Sequence, residues 1–195
     1  MAIDMDIASN MDIASVVGML YGASEMLLTI VKRRGQRNKA ADAGSLRLIW
    51  VVVGASIAAA FVVANAFPGG AFARIDLARI AGLVIFIPGA LLRWYAIFYL
   101  GRYFTVDVRV AKDQQVIDTG PYRLIRHPSY TGAFMQFLGF ALCIGNVWSM
   151  LVLMVPTLLV FSYRIHVEER ALEEGLGEEY ASYRRRTKRL IPFVY

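Results

Sequence analysis

Arg164 and Glu168 stand four residues apart in "YRIHVEER", which puts a guanidinium and a carboxylate on one face of a helix. Such a pair can grip an anion through parallel hydrogen bonds, accept a proton, or offset a positive charge. His166 and Arg170 repeat the spacing. The plain alternative for "EERALEEGLGEEY" is a solvated acidic face, divided into two helices by Gly175 and Gly177, with Tyr180 and Tyr183 packing the second piece back. A second polar stretch, "TGPYRLIRHPSYTG" (119–132), holds two prolines, two tyrosines and one of the chain's two histidines. Pro128 suits the first position of a helix, so His127 becomes its cap. The amides of Ser129, Tyr130 and Thr131 are then expected to be unpaired, an end that attracts anions. The competing reading is a structural cap that binds nothing.

The elements that hold these segments are apolar. Of 195 residues 57% are hydrophobic, and the mean hydropathy of +0.50 is high for a soluble domain. Residues 12–31, 48–67 and 77–100 are each near the roughly 20 residues that cross a bilayer. The region 131–163 is too long for one span and divides at Gly145-Asn146, a turn pair, into a hairpin of two short helices. The expected fold is an all-α integral membrane protein of about five membrane helices: three spans plus a helical hairpin. It forms a single membrane domain over 1–195, with three helices in 12–100 and the polar chemistry in 101–195.

Charge sets the expected orientation. "KRRGQRNK" (32–39) follows the first span, and "PGGAFARID" (68–76) after the second carries only Arg74. The positive-inside rule puts the amino terminus outside and delivers both 101–130 and 164–195 to the cytosol. The net charge of +6 then needs only this asymmetry and anionic headgroups, and no nucleic-acid partner. Glu25 and Arg93 lie inside spans at similar depth. Either they neutralise each other, or Arg93 snorkels to the headgroups and Glu25 faces a watery cleft. Cys143 stands alone, so no intramolecular disulfide forms, and two histidines make a metal centre an unsuitable reading. No nucleophile-elbow, Walker, zinc-protease or dinucleotide-binding motif occurs. The repeated "MDIAS" in 5–15 carries no functional weight, and the acidic start lacks the basic region of a signal peptide.

Together, "VIDTGPYRLIRHPSYTG" (116–132), "RIHVEER" (164–170), "GEEYASY" (177–183) and "RLIP" (189–192) resemble the isoprenylcysteine carboxyl methyltransferases and the related phospholipid methyltransferases. The resemblance covers about residues 100–195. It implies an S-adenosylmethionine-dependent methyltransferase with a cytosolic cofactor pocket between the 101–130 segment and the C-terminal helices. By that resemblance Gln114, Gln115, Val116, Ile117, Tyr122, His127, Pro128, Ser129 and Tyr130 contact the cofactor, and Arg164 and Glu168 flank the point of methyl transfer. The acceptor is lipophilic or prenylated and arrives from the bilayer; membrane lipids are the other partners, with no metal and no nucleic acid. The favoured acceptor is the carboxylate of an isoprenylcysteine-like molecule, and the alternative is a phospholipid or small apolar amine. An NADPH-dependent sterol-type reductase and a non-catalytic membrane scaffold are the remaining readings. In a prokaryote the expected location is the inner or plasma membrane.

Overall fold

The computed structural model describes residues 2–33, 43–105, 110 and 113–192, with side chains described for 13–31 and from 44 onward within those ranges. The basic run 34–39 and most of the expected extended stretch "FTVDVRV" (106–109) lie outside the described residues. Six α-helices follow in order: α1 Ala2–Arg33, α2 Ala43–Ala66, α3 Ile75–Leu100, α4 Pro128–Ile144, α5 Val147–Leu176 and α6 Glu178–Arg186. Among the described residues no strand forms; two isolated bridges join Ala71 to Asn146 and Ile125 to Lys188. The fold is an all-α integral membrane protein. Among the described residues four helices are long and apolar enough to cross a bilayer, within Ile13–Val31, Gly44–Ala66, Ile75–Tyr103 and Val147–Leu176.

The hairpin divides where its turn chemistry requires. Gly145 takes the left-handed conformation (φ 78°, ψ 24°) that caps α4, and Asn146 caps α5 by accepting from the amides of Trp148 (2.9 Å) and Ser149 (3.2 Å). The Asn146 amide also donates to the Phe67 carbonyl at 2.9 Å, which docks the turn on the α2–α3 loop. The two legs differ in length. The 17 residues of α4 rise about 25 Å, less than the roughly 30 Å of hydrocarbon. The 30 residues of α5 exceed it and continue unbroken past Glu168. This corrects the expected break at Gly175: a glycine costs an α-helix only about 1 kcal/mol, and Gly175 earns its place by close approach to Val110. The chain turns at Gly177, where φ is +57°.

Short α4 is the centre of the bundle. It packs against α3, α1 and α5, while α2 lies on α5. Phe137 and Phe140 of α4 are buried with Tyr21, Phe86 and Phe161 from the helices around it. Where α3 crosses α4 the backbones touch at two matched glycine pairs, Gly82 with Gly139 and Gly89 with Gly132, each seven residues apart on its helix. A Cβ on Gly82 would stand 2.6 Å from the Gly139 carbonyl oxygen, and one on Gly89 would stand 2.8 Å from that of Gly132. In lipid, where apolar side chains gain little by leaving the solvent, such close packing is what holds helices together. The outer faces of α1, α2 and α3 expose Leu20, Val51, Val62, Val84 and Leu91, an apolar surface fit for acyl chains.

This arrangement gathers the polar segments at one end. The C-terminal ends of α1, α3 and α5 and the N-terminal ends of α2 and α4 meet there, opposite the Gly145-Asn146 turn.

Candidate active site

The segment before α4 is held by the chain's C-terminal end. Arg126 N donates to Lys188 O (2.7 Å), His127 N to Arg189 O (3.0 Å), and Thr131 Oγ1 to Leu190 O (2.7 Å). Pro128 favours this geometry, because the residue before a proline is pushed out of the α region and can pair as a strand does; His127 sits at φ −125°. Beneath the strap lies Glu169. Its buried carboxylate receives Arg126 Nε at 2.8 Å and Arg189 Nη2 at 2.9 Å, with His127 Nε2 at 3.3 Å. The hub joins α5, the stretch before α4 and the C-terminal strap. Sequence reasoning missed Arg126, Glu169 and Arg189. The available signal was the second acid of "VEER": beside Glu168, but turned about 100° around the helix, it needs partners of its own.

Two of the three amides expected to be unpaired at the start of α4 are already taken. The amides of Tyr130 and Thr131 both donate to the His127 carbonyl at 3.0 Å, and Arg93 Nη1 reaches the Ser129 carbonyl at 3.1 Å. A helix start that turns back on its own cap carbonyl spends its donors internally. The His127 side chain makes no capping bond and goes to Glu169 instead.

Two clefts meet at this end of the bundle. The first is lined by α1, α2, α3 and α5 through Tyr21, Leu28, Ile49, Trp50, Val53 and Phe161, and encloses about 950 Å³ including open space. The second lies between residues 100–105, 110 and 114–117 on one side and α5 and α6 on the other, and encloses about 720 Å³ including open space. Its wall includes Gln114, Gln115, Val116, Ile117 and Tyr122. Tyr122, Arg126, His127, Arg164 and Glu168 belong to both clefts and form the boundary. Of the remaining expected residues, Ser129 and Tyr130 line only the first cleft, and Pro128 is fully buried and lines neither.

At the boundary Arg164 is 3% exposed and donates a short hydrogen bond to Ser45 Oγ at the start of α2. Tyr130 donates its hydroxyl to Glu168 Oε2 at 2.8 Å. Tyr122 donates to the Ala96 carbonyl at 3.1 Å and receives Tyr183 Oη on its own carbonyl at 2.7 Å, so α6 supports the wall from behind. Burial pushes the Tyr183 phenol well above the usual tyrosine range, which keeps it the donor in that bond.

The first cleft also resolves the intramembrane charges. Arg93 Nε and Nη2 meet Glu25 Oε1 and Oε2 at 2.5 and 2.6 Å, a bidentate pair between α3 and α1 with both side chains about nine-tenths buried. Of the two readings, pairing is the one realised. Among the described residues, no cluster of three metal-ligating side chains occurs.

The family model described as isoprenylcysteine carboxyl methyltransferase (ICMT) matches residues 81–174. Protein-S-isoprenylcysteine O-methyltransferase B of Arabidopsis thaliana is 32% identical over 115 residues, covering 58% of this chain and 58% of that protein. Protein-S-isoprenylcysteine O-methyltransferase of Saccharomyces cerevisiae is 33% identical over 120 residues, covering 60% of this chain and 50% of that protein. Thus the chain spans only half to three fifths of these curated relatives. A solved structure of the eukaryotic intramembrane Ras methyltransferase ICMT superposes with a TM-score of 0.73 at 25% identity, over 95% of this chain and 68% of that one. The glycine-paired α3–α4 crossing, the strapped "RHPSYTG" and the Arg164–Glu168 boundary all fall within or beside residues 81–174, the stretch in which this chain is similar to the isoprenylcysteine carboxyl methyltransferase family.

Proposed function

We propose that the chain is an S-adenosylmethionine-dependent integral membrane methyltransferase that methylates the carboxylate of an isoprenylcysteine-like acceptor. The observation that carries this is the meeting of a membrane-side apolar cleft and a polar cleft at Arg164 and Glu168. The polar cleft suits the cofactor: it combines Gln114 and Gln115 with apolar walls and a carboxylate. Bound, the cofactor supplies an electrophilic methyl group on a sulfonium. Residues 101–195 are assigned as the cofactor-binding and catalytic half, completed on the acceptor side by α1 and α2. In this reading Gln114, Gln115, Val116, Ile117, Tyr122 and His127 contact the cofactor, and Tyr130 shapes the boundary through Glu168.

The protein's contribution is position and charge. In-line displacement is accelerated when the reacting atoms are held in contact and aligned. Arg164, fixed through Ser45, holds the acceptor carboxylate at the boundary in a bidentate grip. Glu168, oriented by Tyr130, would hold the cationic end of the cofactor by charge attraction, a binding and positioning role. A carboxylate acceptor is already ionised near neutral pH, so the chemistry asks no proton transfer of either residue. Tyr21, Trp50 and Val53 accept the apolar tail. The catalytic half is assigned to the cytosolic side by the basic flanks, with the protein in the inner or plasma membrane of a prokaryotic cell.

Purified protein in lipid nanodiscs, given methyl-labelled S-adenosylmethionine, is expected to label a farnesylated cysteine carboxylate as a base-labile ester. Label on phosphatidylethanolamine, stable to base, would replace this with the amine reading. A melting temperature raised by NADPH and not by S-adenosylmethionine would replace it with the reductase. Absence of any response to either molecule would leave the scaffold.

A further inference from the structure

Four buried side chains among the described residues keep a polar atom without a hydrogen-bond partner: Arg79, Gln136, Thr157 and Tyr180. The first three line neither cleft. Tyr180 differs, being 3% exposed and yet part of the wall of the polar cleft. Its neighbour Tyr183, three residues on and in ring contact with it, has a partner for its hydroxyl in the Tyr122 carbonyl. A buried hydroxyl with no partner bears its whole desolvation cost, so native proteins seldom leave one without an occupant that completes it. Burial, with the Glu169 and Glu168 carboxylates near, pushes the Tyr180 phenol far above the usual tyrosine range. At neutral pH it is therefore a proton donor.

The cleft's wall changes character along α5. Arg164 and Glu168 make its charged end, and Ala171, Leu172 and Leu176 follow as apolar wall toward α6, where Tyr180 stands just beyond the Gly177 turn. A flat heteroaromatic ring fits the apolar end, and a purine brings ring nitrogens that accept hydrogen bonds and need a donor. We propose that Tyr180 is a further ligand-binding residue, whose hydroxyl donates to a purine nitrogen of the cofactor where α6 closes the wall of the cleft. This rests on the S-adenosylmethionine reading.

The test is Tyr180→Phe in the full chain, with S-adenosylmethionine and 5′-methylthioadenosine as probes in calorimetric titrations. The unliganded variant should melt no lower than wild type, since the substitution removes an unpartnered group. Affinity for both probes should fall about five- to twentyfold, as loss of one buried hydrogen bond predicts. KM for S-adenosylmethionine should rise by the same factor with kcat unchanged. A lowered unliganded melting temperature with unchanged affinities would make Tyr180 a packing residue and overturn the proposal. Weaker binding of S-adenosylmethionine alone would overturn the purine assignment by moving the contact to the amino-acid end. Failure of wild-type protein to bind either probe would overturn the cofactor reading and this inference with it, whereas equal binding by wild type and variant overturns only the inference.

Discussion

At the scale of residues, the Glu25–Arg93 pair is the clearest case of position read from charge. The two residues are 68 apart in sequence, but each lies a similar number of helical steps from a basic flank, so depth alone brought them to one level. Depth could not show that Arg93 also holds the Ser129 carbonyl, which ties the first cleft to the strapped segment before α4. Breaking one partner of a buried pair typically costs about 3–5 kcal/mol. Glu25→Gln and Arg93→Gln are each expected to lower stability by about that much. The double variant should lose clearly less than their sum, with coupling of at least about 1 kcal/mol. A double-variant cycle of melting in detergent measures this, and additive losses would remove the pair from the account. The Glu169 hub was invisible in sequence because its partners come from three separate segments, with nothing local to announce them. Glu169→Ala should cost more stability than Glu168→Ala, since only Glu169 leaves two arginines without their carboxylate.

At the scale of elements, hydropathy located three spans and the Gly145-Asn146 turn located the hairpin, because apolar length and turn chemistry are local properties. The continuity of α5 past the membrane surface was not legible: Gly175 and Gly177 look alike in sequence, but only Gly177 takes a positive φ. Nor was the α3–α4 crossing, since seven-residue glycine spacing on two helices becomes a contact only once they are paired. Gly132→Ala should destabilise the fold by several kcal/mol, because its Cβ would stand 2.7 Å from the Arg93 amide nitrogen with backbone on both sides. Gly54→Ala, with nothing within 4 Å, is the control and should be neutral or slightly stabilising. Equal melting temperatures for the two variants would refute the crossing. For α6, the Tyr183 phenol is raised in the folded state, so the stability linked to its proton is complete below its unfolded value near 10. That contribution declines as pH climbs above about 10, and Tyr183→Phe should flatten the alkaline fall in melting temperature.

At the scale of the whole molecule, four membrane-length helices and the shorter α4 bring residues from every part of the chain to one end. Sequence could place 101–130 and 164–195 on a common face through alternating spans, and the structure brings both to the same end of the bundle. Sequence could not reveal two clefts, because a cavity between helices is made by their crossing and not by any run of residues. The placement of Tyr130 on the membrane-side cleft, and of Pro128 behind both, follows from that crossing as well. In the proposed reaction the cofactor and acceptor clefts meet at Arg164, with the acceptor on its far side. Arg164→Ala separates binding from transfer most directly, measured as S-adenosylmethionine affinity and labelled-methyl turnover on the same preparation. Affinity is expected to stay within about threefold of wild type while turnover falls at least about a hundredfold, as loss of a positioning charge at the reacting centre requires. Turnover near the wild-type rate in a folded Arg164→Ala protein would contradict it.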